Sequence, residues 1–336
     1  MMNNLSKFTG KARMKGETSY ILFLFAISVA LIMASRLISP SFGSFQQAEA
    51  ILILSSLLVL VGLGQGLVIL LGELDLSVAS LITLSGVLTT AWLGTGNTAW
   101  WSFPLILIIL ALIGVVNGLG VTLLRIPSFI MTLATQMVVT GAILGFTKGT
   151  TAGMPPAFLE KLMTSDLGGI PLPVYVLVLV AIVGTAVQKL SKFGRQLYAV
   201  GSNRTAAKIA GLPVTSLIVC TYAISALCAG LTGMMLVGYA GGASLNMGES
   251  YLLPSIAAVV IGGTSIAGGS GNYMGTIGAA ILLTTVSTII QALGISQGWQ
   301  TFIYGFMIAF VLGFLRKDIY AFFFKAKAKA VRPLSQ

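Results

Sequence analysis

Glu73 and Asp75 stand two residues apart in Gly72-Glu73-Leu74-Asp75-Leu76-Ser77-Val78-Ala79-Ser80, a polar insertion in otherwise apolar sequence. Carboxylates are costly in hydrocarbon, so this pair belongs at an interface or beside a wet cavity. Ser77 is placed to cap the helix that follows, and Asp75 just ahead of it suits the positive end of that helix dipole. Two readings fit: a capped turn at the cytoplasmic face, or a broken helix whose open end faces a transport path. A second set of residues is uncharged: Gln65, Asn117, Thr132, Gln136 and Gln291 sit inside apolar runs. Such side chains suit a neutral polyol, because amides donate and accept hydrogen bonds without an ionic trap. Each could equally bond a neighbouring helix. Gln65, Asn117, Thr132, Gln136 and Asp75 are the candidate substrate pathway.

Nothing around them makes a catalytic centre. The chain has no His, its acids are scattered, and no Ser or Cys stands beside a base, so an enzyme reading fails and no metal site is expected. Cys220 and Cys228 lie at i and i+8 of one predicted helix and read as buried thiols. The absence of a charge central to any span disfavours a proton- or sodium-coupled carrier, which needs a buried group to bind its ion.

The elements that position these residues are membrane spans. Of 336 residues, 56% are hydrophobic and 8% charged, with mean hydropathy +0.99. That leaves too little polar surface for a soluble globule, in which about 25% of residues are charged. Crossing hydrocarbon takes about 20 residues of helix, and ten apolar runs approach or reach that length: 20–38, 48–71, 76–95, 103–124, 127–147, 172–190, 214–240, 251–267, 272–293 and 299–316. The expected fold is an all-α polytopic membrane protein with both termini cytoplasmic. It divides into an N-terminal tail over 1–19, a transmembrane domain over 20–316, and a basic tail over 317–336. This layout leaves only Arg36, Lys148 and Lys161 of the 19 Lys and Arg on the outer side, as the positive-inside rule requires of an inner-membrane protein. The net charge of +11 is thereby a loop and tail property, and no nucleic-acid partner is implied. Trp92, Trp100, Trp101 and Trp299 fall at predicted outer boundaries, where indole rings favour the headgroup layer. Glycines four apart, such as Gly114 with Gly118 and Gly141 with Gly145, predict close helix packing within one bundle.

Two further insertions are informative. In the loop over 191–213, Ser202 or Asn203 can cap a short helix through Ala206, Ala207 and Ala210, which Gly211 and Pro213 then stop. Two turns of helix have too little apolar area to persist alone in water, so this one needs a partner surface. The third insertion runs from Ile256 to Thr276 and includes Ala257-Ala258-Val259-Val260-Ile261-Gly262-Gly263-Thr264-Ser265; its glycines permit very close helix contact and a sharp cytoplasmic turn.

Together these segments resemble the permease subunits of the ribose and galactoside class of bacterial ABC importers. That family's pattern runs Gly-Gly-Ile-Asp-Leu-Ser-Val-Gly-Ser, then Gly-Asn-x-x-Ala-Ala-x-x-x-Gly, then Ala-Ala-Val-Val-Ile-Gly-Gly-Thr-Ser. Arg125-Ile126-Pro127-Ser128-Phe129-Ile130-Met131-Thr132-Leu133 is similar to its Arg-Ile-Pro-Pro-Phe-Ile-x-Thr-Leu segment. Glu73 and Ala79 stand where the pattern has glycine. The resemblance implies a permease dimer on two ATP-binding domains, fed by a periplasmic or lipid-anchored solute-binding protein. The solute expected is a monosaccharide such as ribose; a related importer of branched amino acids, nucleosides or urea is the alternative. The resemblance also makes Gly201, Asn203, Ala206, Ala207 and Gly211 the surface that couples to the ATPase, and the loop over 148–171 the docking site of the binding protein. The only Gly-Lys, Gly10-Lys11, is followed by Ala12, so ATP and Mg are expected on another polypeptide.

Overall fold

The computed structural model describes residues 2–37, 43–94 and 100–315; the basic tail expected over 317–336 lies outside them. Each of the ten apolar runs carries a helix: α1 (Met2–Ser35), α2 (Phe45–Leu70), α3 (Val78–Leu93), α4 (Ser102–Thr122), α5 (Ser128–Thr147), α7 (Leu172–Lys189), α10 (Val214–Ala240), α11 (Glu249–Ile261), α12 (Tyr273–Ala292) and α13 (Gln297–Leu315). Between them lie α6 (Ala157–Thr164), a hairpin of β1 (Asp166–Leu167) and β2 (Ile170–Pro171), α8 (Lys192–Ser202) and α9 (Arg204–Ile209). Helices are the form lipid permits, because each backbone group finds its partner inside the segment. Among the described residues, seven are long and apolar enough to cross a membrane, while α3 and α11 are shorter apolar helices.

Departures from the expected boundaries have local causes. The polar stretch expected as an N-terminal tail is helical from Met2 and runs on without a break into the apolar part of α1, whose candidate span begins at Thr18. The eighth run stops at Ile261, because Gly262 and the left-handed Gly263 turn the chain out of the helix. The loop over 191–213 holds two helices rather than one. Ser191 caps the first by accepting from the Gly194 N–H at 2.9 Å, and Leu197 and Val200 bury its apolar face.

α2 is the axis of the bundle. It is apolar all round, and Leu57, Val59, Val68, Ile69 and Leu70 are wholly buried, as a helix with neighbours on every side requires. α10 crosses α4 closely: a Cβ on Gly114 would meet the Tyr222 carbonyl oxygen at 2.5 Å, and one on Gly118 the Val219 Cα at 2.6 Å. Gly141 and Gly145 have the same spacing but nothing within 4 Å, and only 17% of the apolar stretch of α5 and 22% of that of α7 is buried inside the protein.

The bundle has two distinct ends. At the basic end lie Arg125, Lys189, Lys192, Arg195, Arg204 and Lys208. There the Gly269 N–H donates to the Leu70 carbonyl at 2.9 Å, and the Tyr20 hydroxyl to the Ile261 carbonyl at 2.6 Å. At the opposite end, Thr151 Oγ1 donates to the Ala243 carbonyl at 2.8 Å and Trp100 packs on Phe158 with ring centroids 5.1 Å apart.

Candidate functional site

The two short helices start inside the bundle and run in opposite directions. After α2 the chain turns at Gly72 and climbs back, so that Asp75 sits beside Ser225, about three helical turns along α10. α3 then continues to the tryptophan end. After α10 the chain re-enters from that end, and the Gly248 N–H, just ahead of α11, donates to Thr83 Oγ1 of α3 at 3.1 Å. The first turns of α3 and α11 therefore touch.

Asp75 organises the first of these starts. It is buried, and its Oδ1 accepts from the Ser77 N–H at 3.1 Å and the Ser77 hydroxyl at 2.6 Å, while Oδ2 accepts from the Ser225 hydroxyl at 2.8 Å. The expected cap is thus reversed: Ser77 is helical in its backbone and its side chain caps nothing, whereas Asp75 takes the N–H. An aspartate two residues ahead reaches that donor and also gains the two hydroxyls, which a serine cap would forgo. The knot extends outward. Asn117 Nδ2 donates to Ser77 Oγ at 2.9 Å, Thr135 Oγ1 to Asn117 Oδ1 at 2.5 Å, and the Leu76 N–H to Thr132 Oγ1 at 3.0 Å. α4, α5 and α10 are pinned to one loop.

Glu73 has a different task. Its carboxylate pairs with Arg204, the first residue of α9, and Arg204 also donates to the Leu71 carbonyl at 3.3 Å. The two carboxylates thus divide the readings open from sequence: Asp75 caps the broken helix from within the bundle, and Glu73 ties that loop to α9.

A cavity of about 1130 Å³ lies between α2, α5, α11, α12 and α13. Gln136, Asn246, Glu249, Ser250, Gln291 and Gln300 contribute polar groups, and Glu249 is the one charged side chain among its lining residues. Ser287 pairs with the Tyr304 hydroxyl and donates to Gln300 Oε1 at 3.3 Å, so part of that wall is already organised. Of the expected pathway residues, Gln136 reaches this space, as does Gln291. Gln65, Asn117, Thr132 and Asp75 are buried in the packing and line none of it; Gln65 finds no hydrogen-bond partner among the described residues. Glu249, Asn246 and Ser250 were missed, because they sit in a stretch whose return into the bundle leaves no trace in hydropathy.

The α8–α9 block carries the remaining expected residues. Asn203 caps α9 by accepting from the Ala206 N–H at 2.9 Å, and Gly211, with φ +82°, ends it while the Leu212 N–H bonds back to the Ala207 carbonyl at 3.0 Å. Ala206 is exposed, and Ala207 is buried against a cluster that includes Leu67, Leu71 and Leu197. Ile209, absent from the sequence reading, stands 83% exposed. Gly201 is a contact point: a Cβ there would lie 2.0 Å from the Leu70 carbonyl oxygen.

Comparison with known proteins agrees with this architecture. Residues 47–312 match the family described as branched-chain amino acid transport system / permease component, and the chain belongs to it. It is an inner-membrane permease subunit of an ABC importer, a translocation component rather than an enzyme. It is 30% identical to the ribose import permease protein RbsC of Haemophilus influenzae, over 89% of this chain and 93% of that one. It is 33% identical to the autoinducer 2 import system permease protein LsrC of an Enterobacter species, over 87% of this chain and 83% of the other. It is 28% identical to the xylose transport system permease protein XylH of Haemophilus influenzae, over 84% and 92%. No solved structure matches the chain.

Proposed function

We propose that this permease imports a small neutral polyhydroxy solute, a monosaccharide such as ribose. The observation that carries the reading is the chemistry of the large cavity, where amides and hydroxyls surround a single carboxylate. Hydroxyl-rich solutes need acceptors and donors in about equal measure, and a carboxylate accepts from two neighbouring hydroxyls. An amino acid would also need a cation for its carboxylate, and none lines the cavity. The names of the relatives, ribose and xylose among them, point the same way.

The arrangement proposed around it has ten crossings, both termini and the basic end in the cytoplasm, and a second copy of the chain completing the path. ATP and Mg are bound by a separate ABC ATPase seated on α9, where Ala206 and Ile209 are open to a partner. A periplasmic or lipid-anchored binding protein docks on the loop over 148–171 and supplies selectivity. Alternating access is driven through a bonded series: α9 holds Glu73 through Arg204, the adjoining loop holds the start of α3 through Asp75, and α3 holds the start of α11 through Thr83. Glu249 at the cavity wall is the next residue.

Uptake of labelled ribose by the complete importer in proteoliposomes is the test. ATP-dependent uptake, competed by unlabelled pentoses and not by leucine, is the expected result. Competition by leucine alone would replace the sugar reading with the amino-acid one. For the layout, labelling of an engineered thiol at Thr205 from outside intact cells would overturn it.

A further inference from the structure

A second pocket, of about 600 Å³, opens at the basic end between the α4–α5 turn, α9 and the start of α10. Three cations face it, Arg125, Arg204 and Lys208, against one carboxylate, Glu73. Arg204 is taken by Glu73. Arg125 and Lys208 have no acidic partner among the described residues. Arg125 is held at φ +56°, a left-handed conformation that a side chain of its size rarely adopts, at the tip of the turn. Two long helices also begin here, α5 after Pro127 and α10 after Pro213, and no side chain caps either one. Their first N–H groups add positive potential to the pocket, beside the Ser128, Thr215 and Ser216 hydroxyls.

Cations, hydroxyls and helix starts that no side chain caps, with the Val214 N–H already given to the Leu212 carbonyl at 2.9 Å, together describe a receptor for phosphate. What surrounds them identifies the source. Leu123, Leu124, Phe129 and Ile130 flank the same turn and stand 65%, 71%, 52% and 56% exposed. A soluble phosphate has no use for such a rim, whereas a lipid lays its acyl chains on one. We propose that this pocket holds the phosphate of an anionic glycerophospholipid of the inner leaflet, with its chains along the exposed faces of α4 and α5. The leaflet rests on the proposed sidedness; the pocket chemistry does not.

The test uses the permease in complex with its ATPase, equilibrated with phosphatidylglycerol and phosphatidylethanolamine of matched chains, with retained lipid counted by native mass spectrometry. Phosphatidylglycerol should be retained preferentially, and Arg125→Gln or Lys208→Gln should each lower that preference about fivefold. Arg125→Lys should keep most of it, which separates loss of charge from damage to the turn. Millimolar inorganic phosphate should leave the lipid in place; displacement by it would make this a soluble-anion site and overturn the lipid assignment. Equal retention of the two lipids, or an equal loss on Lys161→Gln at the far end of the bundle, would overturn it as well. Because both faces are reachable in detergent, these outcomes judge the pocket independently of which solute is carried.

Discussion

α3 and α11 are the same device used twice. Each is a short apolar helix that begins within the bundle, and each has a carboxylate at its start, Asp75 for one and Glu249 for the other. Asp75 is buried with three donors on its two oxygens, whereas Glu249 is exposed and faces the large cavity. The difference shows that an acid at a helix start in a membrane protein has no fixed meaning. Saturated with protein donors it is a structural pin, and left open it is available to a solute.

Substitutions should separate these roles. The largest effect is expected from Asp75→Ala, which strands the Ser77 N–H and two hydroxyls in a closed interior. A loss of about 3 kcal/mol or more should follow, read as a fall in monodisperse protein after extraction. Asp75→Asn should be milder, and a well-behaved alanine variant would refute the pin. Next comes the link to α9. Glu73→Gln or Arg204→Gln should leave the protein inserted and ATP hydrolysis running while uptake drops about tenfold, and exchanging the two charges should recover part of it. Glu249→Gln should fold normally and cut sugar uptake a few-fold, about what exchanging a charged hydrogen bond for a neutral one costs. Normal uptake would return Glu249 to the status of a solvated acid. The smallest effect is expected from reversing Glu160, Lys161 and Asp166 in the outer loop, which should weaken binding-protein docking at low salt and little at high salt, as exposed charges do.

The family and the helical runs were legible because they depend on local sequence. Asn203, the alanines after it and Gly211 spell out a capped helix in nine residues, and the structure has that helix. α8 was not legible, because Gly194 and Gly201 read as loop residues. Both are glycine because of what lies outside their own helix: a Cβ on Gly194 would lie 2.1 Å from the Gln188 carbonyl oxygen at the end of α7, and Gly201 abuts Leu70 of α2. The same limit governs the polar residues. That Gln65, Asn117, Thr132 and Gln136 are amides or hydroxyls in apolar runs is plain from sequence. Which of them meets a cavity is decided by the rotation of α2, α4 and α5 against distant partners, and only Gln136 does. The glycine pairs teach it again, since Gly114 with Gly118 is filled by α10 while Gly141 with Gly145 is open.

At Gly201, three turns of the chain meet main chain to main chain: the end of α8, the Leu70–Gly72 turn and the Gly268–Gly269 turn. Side chains can slide or change rotamer under load, but abutting peptide groups yield very little. If the ATPase sits on α9 as proposed, a push delivered there is not absorbed beneath it; the basic end would tilt as a block, and the compliance that opens and closes the proposed path would belong to the opposite half, around the stretch before α11.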